Sequence, residues 1–172
     1  ATFQKCEHLT SLDLKMLDTS QVTIMSDLFH DCTNLQYLDI STWSTSSLNS
    51  AEECFRNCRS LKSLDLTNFD NTQVTSTIKF FENCESLTSI KFGPLCTFEK
   101  AKSLDQIFNN TGFTSLDLST FKTGQLTDMD SLFANMKNLK FIDLSPLDLN
   151  NIQTMRYIFA NDSNLENVKM AT

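Results

Sequence analysis

The chain is poor in the two residues that build tight loops. It has three Gly and two Pro in 172 residues, against roughly twelve and nine at average usage. That scarcity excludes collagen-like and flexible low-complexity chains, leaves little turn chemistry for hairpins and provides no glycine-rich loop to cradle a phosphate. Polar-tipped aromatics are rare as well: one Trp and two Tyr stand beside fourteen Phe, and rings without a polar tip are expected to be buried. Positive charge is also short, with 14 Lys and Arg against 21 Asp and Glu for a net charge of −7. Without a basic run the chain is a poor partner for a phosphate backbone, so nucleic-acid binding is not expected. No stretch approaches 18 consecutive apolar residues, so membrane insertion is not expected either, and no signal peptide opens the sequence as given. What is abundant is apolar residues (40%) and hydroxyls (39 Ser plus Thr), enough for one domain with a sizeable core beneath a hydroxyl-covered surface.

The dominant feature is self-similarity. Leu9-Thr-Ser-Leu12-Asp-Leu14 returns as Leu35 to Ile40, Leu61 to Leu66, Leu87 to Phe92, Phe113 to Leu118, Leu139 to Leu144 and Leu165 to Met170, each 26 residues after the last. Other columns keep the period: Leu17, Trp43, Phe69, Leu95, Phe121 and Leu147 in one, and Phe3, Phe29, Phe55, Phe81, Phe133 and Phe159 in another. The fourth unit slips. Cys96 to Phe108 runs one residue long, placing Phe108 in the Phe column, and Thr111-Gly112-Phe113 runs one short and restores the count. Leu12 and Leu14 alternate with Asp13, a strand pattern. Met25, Leu28, Phe29 and Cys32 lie at i, i+3, i+4 and i+7, the stripe of a two-turn helix. A strand and a helix every 26 residues cannot bury their own apolar side, but stacked copies can. The expected fold is therefore an α/β repeat: a single solenoid over residues 1–172, with a parallel sheet on one face and short helices on the other. Its strands are expected near 11–15, 37–41, 63–67, 89–93, 115–119, 141–145 and 167–171.

The L-x-x-L-x-L spacing is the strand signature of leucine-rich repeats. With Ser11-Leu12-Asp13-Leu14, Asp18-Thr19-Ser20-Gln21-Val22-Thr23 and Met25-Ser26-Asp27-Leu28-Phe29-His30-Asp31-Cys32, the units resemble the BspA-like leucine-rich repeats of bacterial surface proteins and some parasitic protists. The resemblance covers the whole chain and is weakest in unit four. It implies a cell-surface or secreted setting and adhesion or protein binding, often to host or matrix proteins. It implies no catalysis and names no ligand-touching residue.

Cys6, Cys32, Cys58 and Cys84 share one column, continued by Thr111, Met136 and Asp162. Such a column fits a packing slot, so free thiols are expected there. Cys54 is expected in the core, and Cys96, inside the slip, is expected to be the exposed thiol. No cysteine or histidine pair has zinc-ligand spacing, and His8 and His30 imply no shared site, so no metal or cofactor is expected. The outward strand column reads Asp13, Asp39, Asp65, Lys91, Asp117, Asp143 and Lys169. Like charges about 5 Å apart repel by roughly 0.8 kcal/mol even in water, and Lys91 and Lys169 relieve part of this. A repeating flat strip offers no apolar pocket for a catalytic acid, so no catalytic residue is expected. Tyr37 and Phe141 stand outward where other units carry Ser, and exposed aromatics favour contact. The expected function is thus a non-enzymatic protein-binding module of an adhesin, with Tyr37, Asp39, Asp65, Lys91, Asp117, Phe141 and Asp143 on one acidic, hydroxyl-rich face. The competing expectation is a structural spacer or a self-assembling element. Neither end of the sequence carries a polar cap, which suits either an excerpt from a longer array or copies stacking end to end.

Overall fold

The computed structural model describes residues 2–171. Six short strands appear, β1 (Ser11–Asp13), β2 (Tyr37–Asp39), β3 (Ser63–Leu66), β4 (Ser89–Phe92), β5 (Phe141–Asp143) and β6 (Asn167–Lys169). They pair in parallel as β1–β2, β3–β4 and β5–β6. Register follows the 26-residue repeat: Leu12 faces Leu38, Asp65 faces Lys91 and Ile142 faces Val168. The alternation in sequence carries through, since Leu38, Leu64 and Ile142 point into the core while the Tyr37, Ser63 and Phe141 side chains point out.

The expected α/β leucine-rich-repeat solenoid is not what forms. Among the described residues there is no helix, and the strands make three separate two-stranded sheets instead of one continuous face. The apolar stripes are real: Met25, Phe29 and Cys32 are buried. They lie, however, on a chain of tight turns. Every second amide leaves the segment and bonds along the stack, Met25 N to Ser50 O, Asp27 N to Glu52 O, Phe29 N to Cys54 O and Asp31 N to Arg56 O, at 2.8–3.0 Å. A helix would keep those amides for itself. Two residues per unit, four apart, also hold left-handed backbone: Asp27 and Asp31, then Glu53 and Asn57, and so on to Tyr157 and Asn161, with Phe98 a third in the slipped fourth unit. Residues of this kind occur singly and interrupt a right-handed helix. Their side chains add a ladder, Asn57 Nδ2 donating to Asp31 Oδ1 at 2.7 Å, Asn83 to Asn57 at 2.8 Å and Asn110 to Asn83 at 2.9 Å. A second seam of single-residue parallel bridges joins Ile24, Ser50 and Ser76, and then Ser103, Asp128 and Thr154.

The expected strand at 115–119 is also absent, and the slip explains it. The extra residue enters at Gly93-Pro94, one step earlier than the sequence pattern places it. Cys96 N bonds Gly93 O as Phe69 N bonds Leu66 O, so Cys96 and not Leu95 takes the Trp43/Phe69 column. Cys96 is therefore 1% exposed and Leu95 49%, the reverse of expectation. Asn71 absorbs the displacement, its Oδ1 accepting from the amides of Thr97 and Phe98 at 2.7 and 3.0 Å. Where the count is restored, Gly112 N bonds Leu87 O, and residues 114–118 lie in the stack without strand pairing. Along the interior the Phe column is continuous: Phe3, Phe29, Phe55, Phe81, Phe108, Phe133 and Phe159 stack at centroid spacings of 5.3–6.0 Å with planes within 15°. Trp43 is buried, whereas Leu17 in the same column is half exposed.

All six cysteines are free thiols. Cys32, Cys58 and Cys84 donate to the carbonyls of Phe3, Phe29 and Phe55 at 3.0–3.2 Å. Burial pushes the Cys32 thiol up to about 11 and Cys96 to about 12, and raises Cys54, Cys58 and Cys84 as well. Thiolate, not thiol, is the reactive form. The native chain is therefore expected to expose no more than one thiol, the half-buried Cys6, to a thiol-exchange reagent at pH 7.5, and six after denaturation without reductant. Rapid native reaction of two or more would contradict the buried column.

Candidate functional site

The outward column begins as backbone chemistry. Asp13, Asp39, Asp65, Asp117 and Asp143 each accept, through Oδ1, the amide two residues on (Lys15, Ser41, Thr67, Ser119 and Ser145) at 2.8–3.0 Å. This is the Asx-turn that ends the strand and starts the next bend. The aspartates therefore recur in the sequence for a local reason before any partner is considered.

Their charges are then largely matched. Lys15 lies 2.9 Å from Asp39, Lys91 3.6 Å from Asp65 and Lys169 2.7 Å from Asp143. The Ser41 hydroxyl and Lys15 hold the Asp39 carboxyl down at about 2, and Lys169 with Ser145 does the same for Asp143. Hydrogen bonds from Thr67 and Ser119 lower Asp65 and Asp117. Groups held so low are ionised throughout the neutral range and have no proton to give as general acids.

The seven residues expected to form one strip fall into separate groups. Tyr37 and Asp39 sit on β2, beside Asp13 and Lys15 of the β1 rung and Ser63 of β3, around a shallow groove. Tyr37 is 56% exposed. Lys62 contacts its hydroxyl at 3.2 Å and lies 5.2 Å from the ring centroid. Asp65 and Lys91 pair across β3 and β4. Asp117 is exposed and makes no ion pair among the described residues. Phe141, 44% exposed, stands with Asp143 on β5, four rungs from Tyr37 or roughly 19 Å at ordinary strand spacing. Lys15 and Lys62 are the residues that sequence reading missed. The available signal was spacing, since each lies close to one period from its partner, 24 residues for Lys15–Asp39 and 25 for Tyr37–Lys62.

A second constellation lies on the turn side, where Asp27, His30 and Glu53 bring one nitrogen and two carboxylate oxygens within 4.8 Å of one another. His30 Nδ1 is 2.9 Å from Asp27 Oδ1 and 3.5 Å from Glu53 Oε2, with Asp31 3.5 Å from Nε2. Arg56 already holds Glu53 at 3.1 Å and Glu82 at 2.7 Å. The set reads as a staircase of His30 and Arg56 interleaved with carboxylates, and a cation there would meet the Arg56 guanidinium. His30 is thus mostly covered, whereas His8 is exposed.

The chain belongs to the family described as "Mycoplasma protein of unknown function, DUF285", whose model matches residues 1–93 and 95–170. The residue passed over is Pro94, at the slip. No curated protein and no solved structure matches the chain.

Proposed function

We propose that this member of the DUF285 family is a non-enzymatic protein-binding module whose contact surface is centred on Tyr37 of β2. The observation that carries the reading is one exposed aromatic ring on a paired strand, with Lys62 against it and the Lys15–Asp39 pair alongside. Rings of this kind supply large contact area at small cost in conformational entropy and are enriched at binding hot spots. The surrounding charge is mixed, because the aspartates other than Asp13 and Asp117 are paired with lysines. A partner surface carrying both signs and an apolar socket suits it better than a purely basic one. The cell-surface or secreted setting, and a host or matrix protein as ligand, rest on the resemblance to BspA-like repeats. A spacer or self-assembling element has no need of the Tyr37–Lys62 arrangement.

The test is binding of solubilised extracellular-matrix proteins to the immobilised chain. Tyr37→Ala is expected to weaken binding by about tenfold or more, and Asp39→Lys also weakens it by placing a second cation beside Lys15. Tyr157→Ala, which removes a more exposed ring on the turn side (73% exposed), is expected to leave binding unchanged. Loss of binding with Tyr157→Ala and not with Tyr37→Ala would place the contact surface on the wrong side of the molecule.

A further inference from the structure

Asp162 occupies the cysteine column. In three earlier rungs that position donates a proton: Cys32, Cys58 and Cys84 each give S–H to the carbonyl of the Phe 29 residues earlier. The corresponding carbonyl for Asp162 is that of Phe133. Phe133 is fully buried, and no donor reaches its carbonyl among the described residues. In earlier rungs the amide three residues on also serves this carbonyl, as Cys32 N serves Phe29 O at 3.0 Å. Here that amide, Met136 N, goes instead to Asp162 Oδ1 at 2.7 Å. The other carboxyl oxygen, Asp162 Oδ2, is buried and without a partner. Two buried acceptors in register, with no hydrogen between them, is an arrangement that proteins avoid.

We propose that Asp162 is a proton-binding site, and that its protonated carboxyl joins the β5 and β6 rungs by donating Oδ2–H to the Phe133 carbonyl while Oδ1 keeps the Met136 amide. One proton satisfies both orphaned acceptors and restores the donor that cysteine supplies elsewhere in the column. What faces the carboxyl supports this. What acts on the carboxyl is burial and the Met136 amide of the β5 rung, and among the described residues it makes no ion pair. Lys137 and Glu166, the charged residues nearest in sequence on the two rungs, form no ion pair or hydrogen bond with it among the described residues. Burial raises the carboxyl from its ordinary 3.8 to about 6, against the opposing pull of the Met136 amide. A folded value above the unfolded one favours the folded chain at low pH, and that advantage disappears as pH rises through about 6. The contact is therefore closed in mildly acidic surroundings and loosened at neutral pH.

The test compares the full chain with Asp162→Asn, whose amide nitrogen can donate to Phe133 while its oxygen accepts from Met136. Thermal midpoints are read at pH 5.0 and 7.5, together with the carboxyl carbon-13 shift of Asp162 across that range. The wild-type midpoint is expected to fall by roughly 3 °C or more from pH 5.0 to 7.5 relative to the variant, which is the more stable of the two at pH 7.5. The Asp162 carboxyl is expected to titrate near 6. Titration in the ordinary carboxylate range, or equal midpoint changes in the two proteins, would overturn the proposal. If Asp162→Asn proves poorly folded, Asp162→Cys, which restores the residue of the column, is read in its place with the same expected outcome.

Discussion

Phe81→Ala is expected to lower the unfolding free energy by about 3–5 kcal/mol. Phe81 is fully buried in mid-column, stacked on Phe55 at 5.6 Å and Phe108 at 6.0 Å, with Phe80 edge-on at 4.5 Å. Truncation removes the buried ring and its aromatic pairs, each worth about 0.5–1.5 kcal/mol beyond burial. The cavity cannot close easily, because each neighbouring ring is held by its own rung's hydrogen bonds along the stack. For a chain of this size the loss corresponds to a fall in thermal midpoint of roughly 6–20 °C. Phe3→Ala is the control: Phe3 is only partly buried and stacks on Phe29 alone, so its loss is expected to be less than half as large. Equal losses, measured by urea or thermal unfolding, would mean that the Phe column is not the spine of the core.

Gly93→Ala is the second large effect, expected to cost about 3 kcal/mol or more, at or above the top of the usual range for overpacking. A Cβ at Gly93 would lie 1.8 Å from Thr67 O and 2.5 Å from Thr67 C, and backbone atoms cannot swing aside as a side chain can. The reason for the approach is chemical. Thr67 N is capped by Asp65, but the equivalent residue in the next rung is Lys91, which cannot cap. Gly93 N bonds Leu66 O at 3.2 Å instead. Lys91 meanwhile faces Asp65 at 3.6 Å, so the Asp-to-Lys change and the glycine belong together. Gly124→Ala is expected to be nearly neutral, since its added Cβ would meet only Asp148 Oδ2 at 3.6 Å. Unfolding midpoints of the two variants separate the cases, and a harmless Gly93→Ala would show that the slip is not built as described.

Much of this is legible in the sequence. The period, the buried Phe and Leu columns, and six of the seven strand positions follow from repetition and alternation alone. The helices did not follow, because spacing of i, i+3, i+4 and i+7 buries the same residues on a helix or on a chain of tight turns. The discriminating signal lay in the polar residues. Asp or Asn recurs at Asp31, Asn57, Asn83, Asn110, Asn135 and Asn161, a position that proves left-handed throughout, and these residue types tolerate that backbone better than most. The site was legible as a column and not as a strip. The pattern Asp-x-Ser/Thr in Asp39–Ser41, Asp65–Thr67, Asp117–Ser119 and Asp143–Ser145 already marks Asx-turns, which assign the aspartates a backbone role. The gap between β4 and β5 depends on the slip at Gly93-Pro94, whose effect on Cys96 and Leu95 depends on one residue of register.

The rung-to-rung bonding of the turn segments fixes which side chains face outward, so it is the claim on which the surface assignment depends. Backbone chemical shifts of the isotope-labelled chain over Met25–Cys32 test it most directly. The expected result is left-handed backbone at Asp27 and Asp31 interrupting any helical run, with slow exchange at the Met25, Asp27, Phe29 and Asp31 amides that bond to the next rung. Uninterrupted helical shifts from Met25 to Cys32 would contradict it.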